Sequence, residues 1–194
     1  IDCSLQVTNW GFCADQEVPR GYYGLLSAQE LGEIWSTYGS KLLSKNIRFF
    51  KVSTEVNDGI KKTLKENPND FVYFNNGIKI ISDEITRGIS GGDNRACGNF
   101  SLKNISIVNG AQTMGSIGEI YKEDKTLLDG VKVFAHIISL NNKPHEFGDA
   151  VTKLSNTQNK IEKKDFLSIA DPFHEQLKKD FAMDHKGYRY KTGD

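Results

Sequence analysis

The segment Ile105-Ser106-Ile107-Val108-Asn109-Gly110-Ala111-Gln112-Thr113 constrains this chain most. A short apolar run of strand character stops at Asn-Gly, and helical spacing begins at once. Met114, Ile117, Ile120 and Tyr121 then fall on one side of a helix predicted over 112–122. A strand that feeds directly into a helix leaves the helix's first N–H groups without intrahelical partners, and the helix dipole makes that end attractive to anions. Gln112 and Thr113 add side-chain donors there, and Asn109 suits a left-handed or self-bonded turn. The same spacing also suits a tight turn capped by Asn109 or Thr113 with no ligand at all.

Around this unit the sequence reads as alternating short elements. Residues 1–24 carry Gly11, Pro19, Gly21 and Gly24 as breakers and read as an irregular lead-in. Ser27-Ala28-Gln29-Glu30 has the form of a capping box, followed by Leu31, Ile34, Trp35 and Tyr38 at helical spacing and by Gly39 as the stop. Residues 41–52 read as a short strand or buried turn, and a second helix is predicted over about 55–66, ending before Pro68. Phe71-Val72-Tyr73-Phe74 and Ile78-Lys79-Ile80-Ile81 flank Asn75-Asn76-Gly77, which predicts a β-hairpin. The glycines of 87–99 read as a loop, 131–140 as a strand, and 145–155 and 172–184 as helices. The expected fold is α+β: a mixed sheet with a hairpin and a strand–turn–helix element, flanked by helices.

Composition narrows the function classes. Lys plus Arg number 25 and Asp plus Glu also number 25, so binding nucleic acid by bulk charge is disfavoured while a local basic patch stays open. The chain has 194 residues, enough for a core without disulfide or metal support. No apolar run approaches the ~18 residues of a membrane span, so no membrane partner is expected. Cys3, Cys13 and Cys97 form no Cys-x-x-Cys pair, and His136, His145, His174 and His185 have no metal-ligand spacing, so a reducing cytoplasm and no metal site are predicted. A start at Ile1 reads as part of a longer protein.

Two further polar segments stand beside Asn109–Thr113. Asn75 and Asn76 form the predicted hairpin turn, which needs no ligand. Ser155-Asn156-Thr157-Gln158-Asn159 is an uncharged polar run leading to Lys160, Lys163 and Lys164. Such density of carboxamides and hydroxyls can read bases or hold phosphates, and it also suits a solvated loop between helices. Strand ends gather on one side of a sheet, so Asn75, Asn76, Asn109 and Gln112 are expected in one neighbourhood, with Asn156, Gln158 and Asn159 facing the same pocket and Lys160 at its rim.

Taken in order, these motifs resemble a known family. Tyr22-Tyr23-Gly24-Leu25, Asn46-Ile47-Arg48, Glu55-Val56-Asn57, Phe74-Asn75-Asn76-Gly77-Ile78, Val108-Asn109-Gly110-Ala111-Gln112-Thr113, Asn156-Thr157-Gln158-Asn159, Asp171-Pro172-Phe173 and Gly187-Tyr188-Arg189-Tyr190 are similar to the AIPR (abortive infection phage resistance) proteins of bacteria. The resemblance runs from about residue 20 to 191 and implies one AIPR-like domain over 1–194. It also implies an anti-phage role and, upstream of Ile1, a nuclease domain in the same polypeptide. Asn109–Thr113 further looks like the Asp-Gly-Gln-(His/Gln)-Arg signature of ParB-like proteins, with Asn and Thr in place of the two charged residues. Arg48, Lys160 or Lys163 could supply charge from elsewhere.

The resulting expectation is a defence module that binds a nucleotide, a nucleic acid or a phage-derived trigger. Its candidate ligand-binding residues are Asn75, Asn76, Asn109, Gly110, Gln112, Thr113, Asn156, Gln158, Asn159, Arg48 and Lys160. The alternative is a ParB-like nucleoside triphosphate hydrolase or a nuclease component of a restriction-type system, for which a nucleotide with magnesium would be the cofactor. Whether the domain is an enzyme stays open at this stage, and the expected partners include further copies of the chain in an oligomer.

Overall fold

The computed structural model describes residues 1–15, 18–45, 55–88, 94–141, 143 and 145–157. The chain divides into two compact units, Ile1–Asn156 and Thr157–Asp194. Among the described residues of the first, a seven-stranded mixed sheet carries five α-helices, an α+β fold. The strands are β1 (Cys3–Asp15), β2 (Val18–Ser27), β3 (Ile78–Ser82), β4 (Glu84–Arg87), β5 (Cys97–Lys103), β6 (Ser106–Asn109) and β7 (Lys132–Ser139). The helices are α1 (Ala28–Tyr38), α2 (Glu55–Glu66), α3 (Phe71–Phe74), α4 (Ala111–Asp124) and α5 (His145–Thr157). Across the sheet the order is β4-β5-β1-β2-β7-β3-β6, with β3 and β7 parallel and the other pairs antiparallel.

Strand alternation decides which face is which. Leu5 and Val7 on β1, Leu26 on β2, Phe100 and Leu102 on β5, and Val133, Ala135 and Ile137 on β7 are buried in one core with Leu31 of α1 and Met114, Ile117 and Ile120 of α4. A smaller cluster on the opposite face joins Ile81, Val108 and Ile138 to Leu140, Phe147 and Val151, where α5 lies against the β7–β3–β6 edge. Helix α1 starts as its sequence predicts: the Ser27 hydroxyl accepts from Glu30 N, and Gly39 closes the helix. The capping box is only half made, because the Glu30 carboxylate accepts from Gln6 N of β1 instead.

Two expectations are corrected. Residues 1–24 are not an irregular lead-in; they hold the two longest strands, paired as an antiparallel hairpin. The glycines there are not breakers. A Cβ on Gly11 would collide with the Tyr23 ring, and one on Gly24 would meet Val7 Cγ1 at 2.5 Å, so glycine permits close side-chain packing inside the strands. Nor is Asn75-Asn76-Gly77 a hairpin turn. Phe71–Phe74 is a helical turn, entered through a 3-10 turn at Pro68–Asp70, and only the chain beyond Gly77 is strand. The aromatic run has β propensity, but Pro68 at a helix-starting position and the burial of Phe71 override it.

Candidate functional site at the β6–α4 junction

Strand β6 ends at Asn109, and α4 begins at Ala111 with Gly110 as its N-cap. Gly110 has φ 90° and ψ 22°, a left-handed conformation that only glycine takes without strain. A Cβ there would lie 2.7 Å from Gly77 O and 2.7 Å from Ile78 Cγ2. The two Asn-Gly segments are therefore packed against each other. Asn75 completes the junction: its Oδ1 accepts from Gly77 N at 2.8 Å and from the Thr113 hydroxyl at 3.2 Å. Thus Asn75, Gly77, Gly110 and Thr113 meet in one place, although they come from segments more than thirty residues apart. Asn76 sits exposed on the same turn.

No side chain caps α4, and its first helical bond runs from Met114 N to Gly110 O. The first-turn N–H groups are therefore without intrahelical partners. Gln112 Oε1 is buried and has no hydrogen-bond partner among the described residues, and neither has Ser116 Oγ one turn later. These two side chains lie at i and i+4 on one face of α4. That face meets α2: Lys61 pairs with Glu119 at 3.1 Å and Lys65 with Glu123 at 2.8 Å. The register makes the two helices run parallel and sets fully buried Asn57 level with Gly115 and Ser116. The Lys61 ammonium is held above its ordinary pKa first by its hydrogen bond to Glu119. A groove of about 300 Å³ lies on the other side of α2, lined by Val56, Gly59, Ile60, Thr63, Phe71, Phe74 and Asn75. Asn75 is its link to the junction; none of residues 110–113 lines it.

The third polar segment joins from the opposite face of the sheet. Asn109 Nδ2 donates to Ser155 O at 2.6 Å, and Lys79, directly across from Asn109 on β3, donates from Nζ to Ser155 Oγ at 2.9 Å. The sequence reading has Asn156 facing the same pocket. Asn156 is buried at the end of α5, and its Nδ2 donates to Val108 O and Thr152 O, each at 2.8 Å. The polar run continues α5 rather than breaking it, since Asn156 closes the helix onto β6. Gln158, Asn159 and Lys160, like Arg48, lie outside the described residues.

Lys79 and His136 escape the sequence reading. Lys79 neighbours His136 on β7, which in turn neighbours Tyr23 on β2. The His136 imidazole is pushed below its ordinary pKa by burial and, secondarily, by the Lys79 charge. The alternation Ile78-Lys79-Ile80, with its lone cation between buried isoleucines, is the sequence signal that marks an outward-facing lysine. Among the described residues no group of three His, Cys, Asp or Glu side chains could hold a metal ion. No helix among them is long and apolar enough to cross a membrane.

The α+β sheet, the left-handed glycine between β6 and α4, and the Asn75–Thr113 bond define a domain whose polar strand ends converge on one helix start. Residues 43–193 match the AIPR protein family, and the chain belongs to that family, which is linked to abortive infection and phage defence. No curated protein and no solved structure matches the chain.

Proposed function

We propose that this domain is the ligand-binding module of an anti-phage system and that it takes the phosphate of a nucleotide or nucleic acid at the start of α4. One observation carries the reading: an uncapped helix start behind a left-handed Gly110, with the buried Gln112 Oε1 beside it lacking a partner among the described residues. An uncapped helix start attracts anions. A buried carbonyl oxygen without a donor costs roughly 1–3 kcal/mol, which a ligand N–H or O–H would offset. Asn109 and Asn156 serve this site indirectly, by fixing β6 to α5.

Differential scanning fluorimetry with nucleoside mono- and triphosphates, with and without magnesium, tests the proposal on wild type and Gln112→Met. The expected result is a ligand-induced rise in Tm for wild type that Gln112→Met loses. The variant's own Tm should match or exceed wild type, because a buried carbonyl oxygen without a described partner is replaced by an apolar chain of similar length. Release of inorganic phosphate in the same samples would make the module a hydrolase. A wild-type Tm that no phosphate compound moves would remove the reading.

A further inference from the structure

Beyond the α4 site, the sheet face opposite the main core carries a second set of recognition groups. Because Val133, Ala135 and Ile137 point into that core, Phe134 and His136 point the other way, and by the same alternation Tyr23 faces outward beside them. Tyr23 and Phe134 are 40% and 43% exposed. Helix α5 shields only the β7–β3–β6 edge of this face, through the cluster of Ile81, Val108 and Ile138. Lys79 stands at the border of the shielded part, its ammonium bonded to the neutral Ser155 hydroxyl and engaged in no ion pair among the described residues. Among the strand side chains described, Glu84 is the carboxylate on this face, and it is already paired with Lys103 at 2.7 Å. Among the described side chains this face therefore presents aromatic rings beside the Lys79 cation, although the whole chain is formally neutral.

We infer that this face binds a single-stranded nucleic acid, with bases stacked on Tyr23 and Phe134 and the backbone phosphate held by Lys79 beside His136. Aromatics at diagonal positions on neighbouring strands, beside one cation that pairs with no described carboxylate, suit a strand whose bases are free to stack. A protein partner would need a separate carboxylate for Lys79 beside apolar groups for the rings, whereas every nucleotide of a single strand carries a phosphate and a base. A duplex would present its phosphates while keeping its bases out of reach of both rings. Phe134 also borders the Asn75–Gly77 turn, since a Cβ on Gly77 would strike the Phe134 carbonyl. A bound strand would thus run toward the α4 junction without needing any of its residues.

The test is fluorescence anisotropy of the full chain with labelled oligo-dT of about 15 nucleotides, the upper range of one such binding site. Tyr23→Leu and Phe134→Leu keep apolar area while removing the rings, and each should weaken binding about tenfold. Lys79→Gln should flatten the log–log salt dependence by about 0.7. Tyr23→Leu and Phe134→Leu should leave the rise in Tm with mononucleotides as in wild type, which separates this surface from the α4 site. Wild type that fails to bind the oligonucleotide, or binds a duplex equally well, overturns the inference. So do leucine variants that bind as wild type does, with folding verified by circular dichroism. Concentration-dependent self-association abolished by Tyr23→Leu would overturn it in favour of a second copy of the chain.

Discussion

The Thr113 hydroxyl, in the first turn of α4, donates to Asn75 Oδ1 at 3.2 Å, and the same oxygen accepts from Gly77 N at 2.8 Å. One carboxamide thus closes the turn before β3 and fastens it to the start of α4. Replacing Asn75 by Ala leaves a backbone N–H and a hydroxyl unsatisfied, with Thr113 itself buried. Asn75→Ala should lose about 1–3 kcal/mol in urea denaturation. Asn75→Asp keeps an acceptor at a helix N-terminus and should stay near wild type. An Asn75→Ala midpoint equal to wild type would mean the bond does not hold the two turns together.

The crossing of α1 and α4 is set by glycine. A Cβ on Gly118 would fall inside the Trp35 indole, and one on Gly32 would lie 2.6 Å from Tyr121 Cδ2. Gly118→Ala therefore forces two packed helices apart and should destabilise by about 1–3 kcal/mol. Gly59, in α2, is the contrast: a Cβ there meets nothing within 4 Å. Gly59→Ala should stabilise by about 0.5–1 kcal/mol, because helix propensity is the main term left. Thermal melts of the two variants should move in opposite directions, and parallel losses would refute the packing account.

What the sequence conveys about this fold depends on how local each determinant is. Ser27 and Gly39 bound α1 by short-range capping, and the β6–α4 turn follows from an apolar run meeting Asn109-Gly110; both are legible without tertiary knowledge. Gly11 and Gly24 mislead because their purpose lies across a strand pair, against Tyr23 and Val7. Asn75 misleads in the same way, since an Asn-Gly between two β-prone runs is locally a hairpin, and only Pro68 and the burial of Phe71 make the first run helical. The site shows the same division. That Asn75 and Thr113 matter is visible in the motifs, whereas their bond to each other is not. Lys79 carries no motif, and its position beside His136 exists only once β3 and β7 pair in parallel.

Asn156 illustrates how a polar motif can be structural. Both of its recorded donations go to buried backbone carbonyls, Val108 O in β6 and Thr152 O in α5. Asn156→Ala should therefore lower stability by about 1–3 kcal/mol and reduce ligand response only through unfolding. If the variant melts as wild type does yet loses ligand binding, the side chain contacts the ligand and the structural account fails.

His136 gives the chain a specific pH signature. It faces Lys79 on β3 and Tyr23 on β2, and burial followed by the Lys79 charge holds its pKa below 6.5. In the pH range between that depressed value and 6.5 the unfolded chain binds more protons than the folded one, so stability rises with pH and is complete above the unfolded value. Glu30 acts in the opposite sense. Burial raises its carboxyl above 4.5, so the folded chain holds the extra proton, and stability falls as pH climbs through that window. The two slopes oppose each other wherever their windows overlap, and wild type alone does not separate them. His136→Gln removes one of them. The difference in unfolding free energy between wild type and His136→Gln should therefore shift in favour of wild type as pH is raised from about 5 to 7 and level off above it. Lys79→Met should move the His136 imidazole resonances to a higher midpoint in an NMR titration, because a repelling charge is gone while the burial remains. A pH-independent difference in the first experiment, or a midpoint that falls in the second, would show that His136 is not held in its neutral form by this face of the sheet.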